Sequence, residues 1–120
     1  MVWVRNGKVE WVSTSSHGSY TKHHHSAIRF EGAHPKIVYH KDGAGTHGFR
    51  AANGNDEPPE NDWGFWQFPT LVDWNRMPGN LRDKLAGTDF GSATPKIKDS
   101  LFSSKLRDAE PGDLSFDPFA

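Results

Sequence analysis

The sequence predicts a mainly β chain, a sandwich of short antiparallel strands followed by two short C-terminal helices. Three observations predict it. Short β-branched and aromatic runs alternate with turn signals over the first part of the chain. The large apolar residues are five Trp and eight Phe in a sequence poor in Leu, which favours strands over a helical bundle. Only the last third carries apolar residues at helical spacing. At 120 residues the chain is one domain at most, since a smaller core would not offset the entropy of ordering its backbone.

Val2 to Arg5 and Val9 to Ser13 flank Asn6-Gly7-Lys8, and Asn-Gly is the strongest short hairpin signal, so the chain opens on a β-hairpin. Ser13 to His25 is polar, rich in Ser and His, and reads as a loop. Ala27 to Glu31 and Lys36 to His40 read as strands divided by Gly32-Ala33-His34-Pro35, and Thr46 to Ala52 follows the break at Gly43 and Gly45. Asn53 to Asn61 is a loop, and the aromatic run Trp63 to Leu71 reads as a returning strand. Pro78-Gly79-Asn80 starts a helix through Leu81 to Ala86 that Gly87 stops. Asp99 is the expected N-cap of a second helix reaching about Ala109, where Leu101/Lys105 and Phe102/Leu106 are i,i+4 pairs and Pro111-Gly112 ends it.

Composition narrows the function. A net charge of −1 leaves no uncompensated basic stripe, which argues against a nucleic-acid binder working by counterion release. Seven histidines make the chain cationic in acid. Without cysteine, disulfide and thiolate-zinc chemistry drop out. Met1-Val2-Trp3-Val4-Arg5 runs directly into strand-like sequence, so no signal peptide is read at its start. No segment approaches the ~18 apolar residues of a membrane span, and action on a membrane would be from its surface.

Several groupings can carry chemistry. His23-His24-His25 reads either as a metal site or as a solvated loop, and adjacent residues do not converge on a tetrahedral ion without unusual backbone. His34, His40, Asp42 and His47 gather around a Gly-rich turn, as binding loops or as hydrogen-bonded strand ends. Asp56, Glu57, Glu60 and Asp62 adjoin Trp63 and Trp66. That loop either holds a sugar by stacking and carboxylate hydrogen bonds, or has core tryptophans beside solvating acids. No Gly-x-Ser-x-Gly elbow, P-loop or dinucleotide fingerprint occurs, so nothing demands an enzyme.

The run His34-Pro35-Lys36-Ile37-Val38-Tyr39-His40-Lys41-Asp42-Gly43, then Thr46-His47-Gly48-Phe49-Arg50, resembles the middle of a necrosis- and ethylene-inducing-peptide-like (NLP) cytolysin. The likeness continues through Asp56-Glu57-Pro58-Pro59-Glu60-Asn61, Leu81-Arg82-Asp83-Lys84-Leu85, Asp89-Phe90-Gly91-Ser92-Ala93 and Phe116-Asp117-Pro118-Phe119-Ala120. Upstream, Val2-Trp3-Val4 and Ser16-His17-Gly18-Ser19-Tyr20 also fit.

The resemblance implies that residues 1–120 are the C-terminal part of a single actinoporin-like β-sandwich, incomplete at its N-terminus. It implies a secreted, extracellular protein that binds sphingolipid sugar headgroups of plant plasma membranes and damages them without covalent catalysis. The family's divalent cation, such as Ca or Mg, uses an upstream Asp and a Gly-His-Arg-His-Asp-Trp-Glu heptapeptide that does not occur in this sequence. No cofactor is therefore expected in this chain, and it is expected to be non-lytic as it stands. By the same resemblance His47 is the headgroup contact, with Asp42 and Thr46 as loop neighbours and Trp63 beside them. Relatives usually carry His where Asp62 stands, which bears on specificity around Trp63. A lectin-like glycan-binding module without toxicity is the alternative, and a metal-dependent enzyme the third reading.

Overall fold

The computed structural model describes all 120 residues. Strand residues predominate over the first 51 positions and helices follow. The chain forms two compact units, Met1–Trp66 with Asp108–Ala120, and Gln67–Arg107.

In the first unit, β1 (Val2–Arg5), β2 (Lys8–Ser16) and β3 (Ser19–His24) make an antiparallel sheet in that order. Asn6 and Gly7 turn β1 into β2 with φ of 50° and 73°, the left-handed pair that a two-residue hairpin requires. His17 (φ 49°) and Gly18 (φ 80°) repeat that geometry between β2 and β3. The segment expected as a loop from Ser13 to His25 is therefore mostly strand. Its polar side chains hid the alternation, and His-Gly is a weaker turn signal than Asn-Gly.

β2 is the centre of the unit, and both of its faces are covered. On one face Trp3 pairs with Trp11 across the ladder, and the Trp3 indole N–H donates to Ser13 Oγ at 2.9 Å. Ser13 Oγ in turn donates to the Ala109 carbonyl at 2.6 Å, so one buried hydroxyl satisfies an indole and a helix-end carbonyl. Arg5 donates to both the carbonyl and the hydroxyl of Ser115, and Ser115 Oγ donates to Glu10, which ties the C-terminal residues to the hairpin.

The opposite face of β2, carrying Val12, Thr14 and Ser16, meets the hairpin of β6 (Ile37–Asp42) and β7 (Thr46–Ala51). The strands approach closely at Gly48, where an added Cβ would lie 2.7 Å from Ser16 Oγ and 2.9 Å from Ser16 Cβ. Gly48→Ala is accordingly expected to push β7 off β2 and cost about 1–3 kcal/mol, as overpacking does, read as a lowered urea midpoint at unchanged slope. Between β3 and β6 in chain order, β4 (Phe30–Glu31) and β5 (His34–Pro35) form a minimal ladder. Lys36 links it to the hairpin, its N–H donating to the Arg29 carbonyl and its carbonyl accepting from Ala52. The predicted strand at Ala27 to Glu31 shrinks to two residues because His25–Ala27 closes a 3-10 turn first.

In the second unit, α1 (Gly79–Gly87) starts after Pro78 and includes Gly87. Thr88 stops it, donating from N–H and hydroxyl to the Lys84 carbonyl at 2.9 and 2.6 Å. Helix α2 spans Asp99–Ala109, with Asp99 inside its first turn. The strand predicted over Trp63 to Leu71 does not form. Gly64 and Pro69 interrupt the pattern, and Asn61 folds the start of the run into a turn by accepting from the N–H groups of Trp63 and Gly64.

Candidate functional site

Antiparallel register sorts the β6–β7 hairpin into two faces. Asp42 pairs with Thr46, His40 with Gly48 and Val38 with Arg50 on the side toward β2. Tyr39 with Phe49, and Lys41 with His47, lie on the other side. Gly43, Ala44 and Gly45 form the connecting tip.

His47 emerges on the outward face, its ring stacked on Tyr39 with centroids 5.3 Å apart and planes 20° from parallel. Phe49 extends the strip, 5.1 Å from Tyr39. Tyr39 is 63% exposed, so the strip is an open aromatic surface rather than a core.

Asp42 points the other way. Ser16 Oγ donates to its carboxylate at 2.5 Å, and His17 Nε2 lies 3.2 Å from the same oxygen. The Ser16 hydroxyl, more than the nearby His17 and His40 rings, holds Asp42 below the usual carboxylate range. Asp42 and Thr46 are thus direct partners at the tip, and His47 follows them on the opposite face.

Two acids of the loop, Asp56 and Glu57, are committed to structure. Asp56 accepts from both Arg50 guanidinium nitrogens at 2.7 and 2.6 Å and from the Asn53 N–H at 2.8 Å. The Arg50 hydrogen bonds first, and the Asn53 N–H second, lower its pKa to about 2. Lys36, nearly buried, sits 2.8 Å from Glu31 and 2.6 Å from Glu57, under the Trp66 ring at 5.2 Å. The two carboxylates, Glu31 before Glu57, push Lys36 up, and Lys36 with the Trp66 indole draws Glu57 down. Trp66 is therefore occupied with an ion pair. Trp63 is 64% exposed in the Asn61 turn, so it is neither a core tryptophan nor part of the β6–β7 hairpin.

The remaining histidines do not assemble. His23 faces Thr14 at 3.2 Å, His24 meets the edge of Trp11 at 5.0 Å, and His25 opens the 3-10 turn against His24. His34 belongs to β5, and His40 Nδ1 contacts the Lys41 carbonyl. No three His, Asp or Glu side chains converge as cation ligands. Asp42, Asp56 and Glu57 are each already engaged, by Ser16, Arg50 and Lys36.

Against this geometry, comparison with known proteins is decisive. The family model described as necrosis inducing protein (NPP1) matches residues 1–109. The chain belongs to that family. NLP effector protein 10 of Phytophthora capsici is 31% identical over 115 residues, which are 91% of this chain and 45% of that protein. The solved structure titled "Crystal structure of non-toxic HaNLP3 protein" matches with a TM-score of 0.65 at 28% identity, over 88% of this chain and 45% of that one. The chain thus spans less than half the length of either relative. The NLP resemblance and the mainly β fold with two helices both hold.

Sequence reasoning missed Ser16, His17, Tyr39 and Phe49 as parts of the site. Tyr39 and Phe49 were findable in principle, because they stand two positions from Lys41 and His47 in paired strands. The Ser16–Asp42 contact, 26 residues apart in sequence, depends on how β7 crosses β2.

Proposed function

We propose that this chain is a membrane-surface-binding member of the NPP1 family that recognises the sugar headgroup of a glycosylated sphingolipid on plant plasma membranes. It acts outside the cell, and it does so without covalent catalysis. The observation that carries the reading is the exposed Tyr39–His47–Phe49 strip beside the Asp42–Thr46 tip.

A pyranose has an apolar C–H face and a rim of hydroxyls. Stacked rings accept the first, while the imidazole and the tip backbone hydrogen-bond the second. Trp63 supplies a further exposed aromatic for the same chemistry. No helix is long and apolar enough to cross a membrane, consistent with approach from the surface. The plant sphingolipid and the extracellular setting follow from the family resemblance.

Binding is proposed without lysis. Asp42, Asp56 and Glu57 are tied to Ser16, Arg50 and Lys36, and no three His, Asp or Glu side chains converge to organise a cation and, through it, a tightly held headgroup. The similar structure of HaNLP3, a non-toxic protein, supports the absence of lysis.

The test is co-sedimentation with phosphatidylcholine vesicles containing plant glycosylated sphingolipid. His47→Ala is expected to weaken binding about five- to tenfold, the loss of a hydrogen bond and a stacking surface. His24→Ala, on the Trp11 side of the first sheet, should stay within about twofold, because its ring makes only structural contacts. Equal losses would remove the reason for placing the site at His47.

A further inference from the structure

We infer that Ser16 and His17 are positioning residues for the β6–β7 tip: from the β2–β3 turn they clasp the Asp42 carboxylate and so hold the loop that follows it. The consequence for headgroup binding rests on the function proposed above.

Two independent observations support the clasp. The first is geometric. Ser16 Oγ and His17 Nε2 reach the same Asp42 oxygen at 2.5 and 3.2 Å, just where Gly48 lets β7 approach Ser16 most closely. Asp42 is the last residue of β6, so fixing it fixes one post of the Gly43–Gly45 loop, and its partner Thr46 is the other.

The second is the turn itself. Asn6-Gly7 and His17-Gly18 adopt the same left-handed pair, φ 50°/73° and 49°/80°. Asn suits that first position best, and the second turn carries His instead. A residue less favoured by the backbone, whose side chain then reaches a carboxylate on another hairpin, is explained by that reach.

The Asp42 carboxylate meets groups from three segments. From the β2–β3 turn it faces His17 and the Ser16 hydroxyl; from its own strand, His40; from β7, the uncharged Thr46. Lys41 and His47 lie on the other face. The Ser16 hydroxyl first of all holds Asp42 below the usual carboxylate range, so the clasp is lost only in strong acid, when Asp42 takes up a proton.

The experiment is amide hydrogen exchange of residues 43–47 in ligand-free protein at neutral pH, expressed as protection relative to the unfolded chain, with vesicle binding measured in parallel. Protection should fall about two- to fivefold in Ser16→Ala and in His17→Asn, whose asparagine suits the left-handed turn position, while protection of β1 and the thermal midpoint stay close to those of the wild type. Wild-type protection of residues 43–47 in both variants overturns the clasp. Wild-type protein that shows the exchange pattern but binds no vesicles sinks the headgroup reading and leaves the clasp standing.

Discussion

Trp3→Ala is expected to destabilise the first unit by about 3–5 kcal/mol, the range for deleting a buried indole. Trp3 is 4% exposed and shares the buried apolar set with only Val12, Ile28, Ala52 and Ala109. Its indole N–H also serves Ser13, the hydroxyl that reaches Ala109. A core so small has little to spare against a typical stability of about 5–15 kcal/mol, so the variant should be largely unfolded at 37 °C. Trp3→Phe keeps most of the burial and loses one donor, at a cost of about 1 kcal/mol. Urea denaturation followed by tryptophan fluorescence reads both. A Trp3→Ala midpoint equal to that of the wild type would mean the hairpin is not central to the unit.

The second large effect is at Asp56. Its carboxylate is 15% exposed and takes both nitrogens of Arg50, which is 36% exposed, together with the Asn53 N–H. Asp56→Ala leaves the guanidinium half-covered without its partner and opens the turn at Asn53, for an expected loss of about 2–3 kcal/mol. Acid should act through the same group. Its pKa falls from 3.8 in the unfolded chain to about 2 in the fold, so the stabilisation is fully present above about pH 5 and is lost as pH falls toward 2. Allowing for solvent around Arg50, about 1–2 kcal/mol is at stake. The wild type should therefore lose stability between pH 5 and pH 2 more steeply than Asp56→Asn. Parallel pH profiles of the two would contradict the assignment.

Much of the fold was legible in sequence because it is written locally. Asn6-Gly7 specifies its hairpin by conformation alone, and the i,i+4 pairs of α2 need no tertiary context. β3 was not legible, because Ser19-Tyr20-Thr21-Lys22-His23-His24 lacks the apolar alternation that marks a half-buried strand, and it is held by pairing to β2. Trp63 to Leu71 misled in the other direction: aromatic composition resembled a strand, but Trp66 is spent on Glu57 and Lys36, and Trp63 on a turn.

The site divides in the same way. Asp42, Thr46 and His47 came from the family resemblance, and spacing alone left them indistinguishable from strand-end residues. The structure separates them by parity, Asp42 and Thr46 toward β2, His47 onto the aromatic strip. The acids of the loop looked free in sequence because their partners, Arg50 and Lys36, lie in or beside strands whose register only folding reveals.

The most direct test of binding without lysis uses the wild-type chain on dye-loaded vesicles containing plant glycosylated sphingolipid, with co-sedimentation and dye release measured on the same samples. Divalent cation is supplied in the millimolar range, enough to saturate weak extracellular sites. The predicted result is binding that depends on the glycosylated lipid and on His47, with no release beyond that of buffer. Release at concentrations where binding is seen, or binding equal to vesicles of phosphatidylcholine alone, would contradict the account.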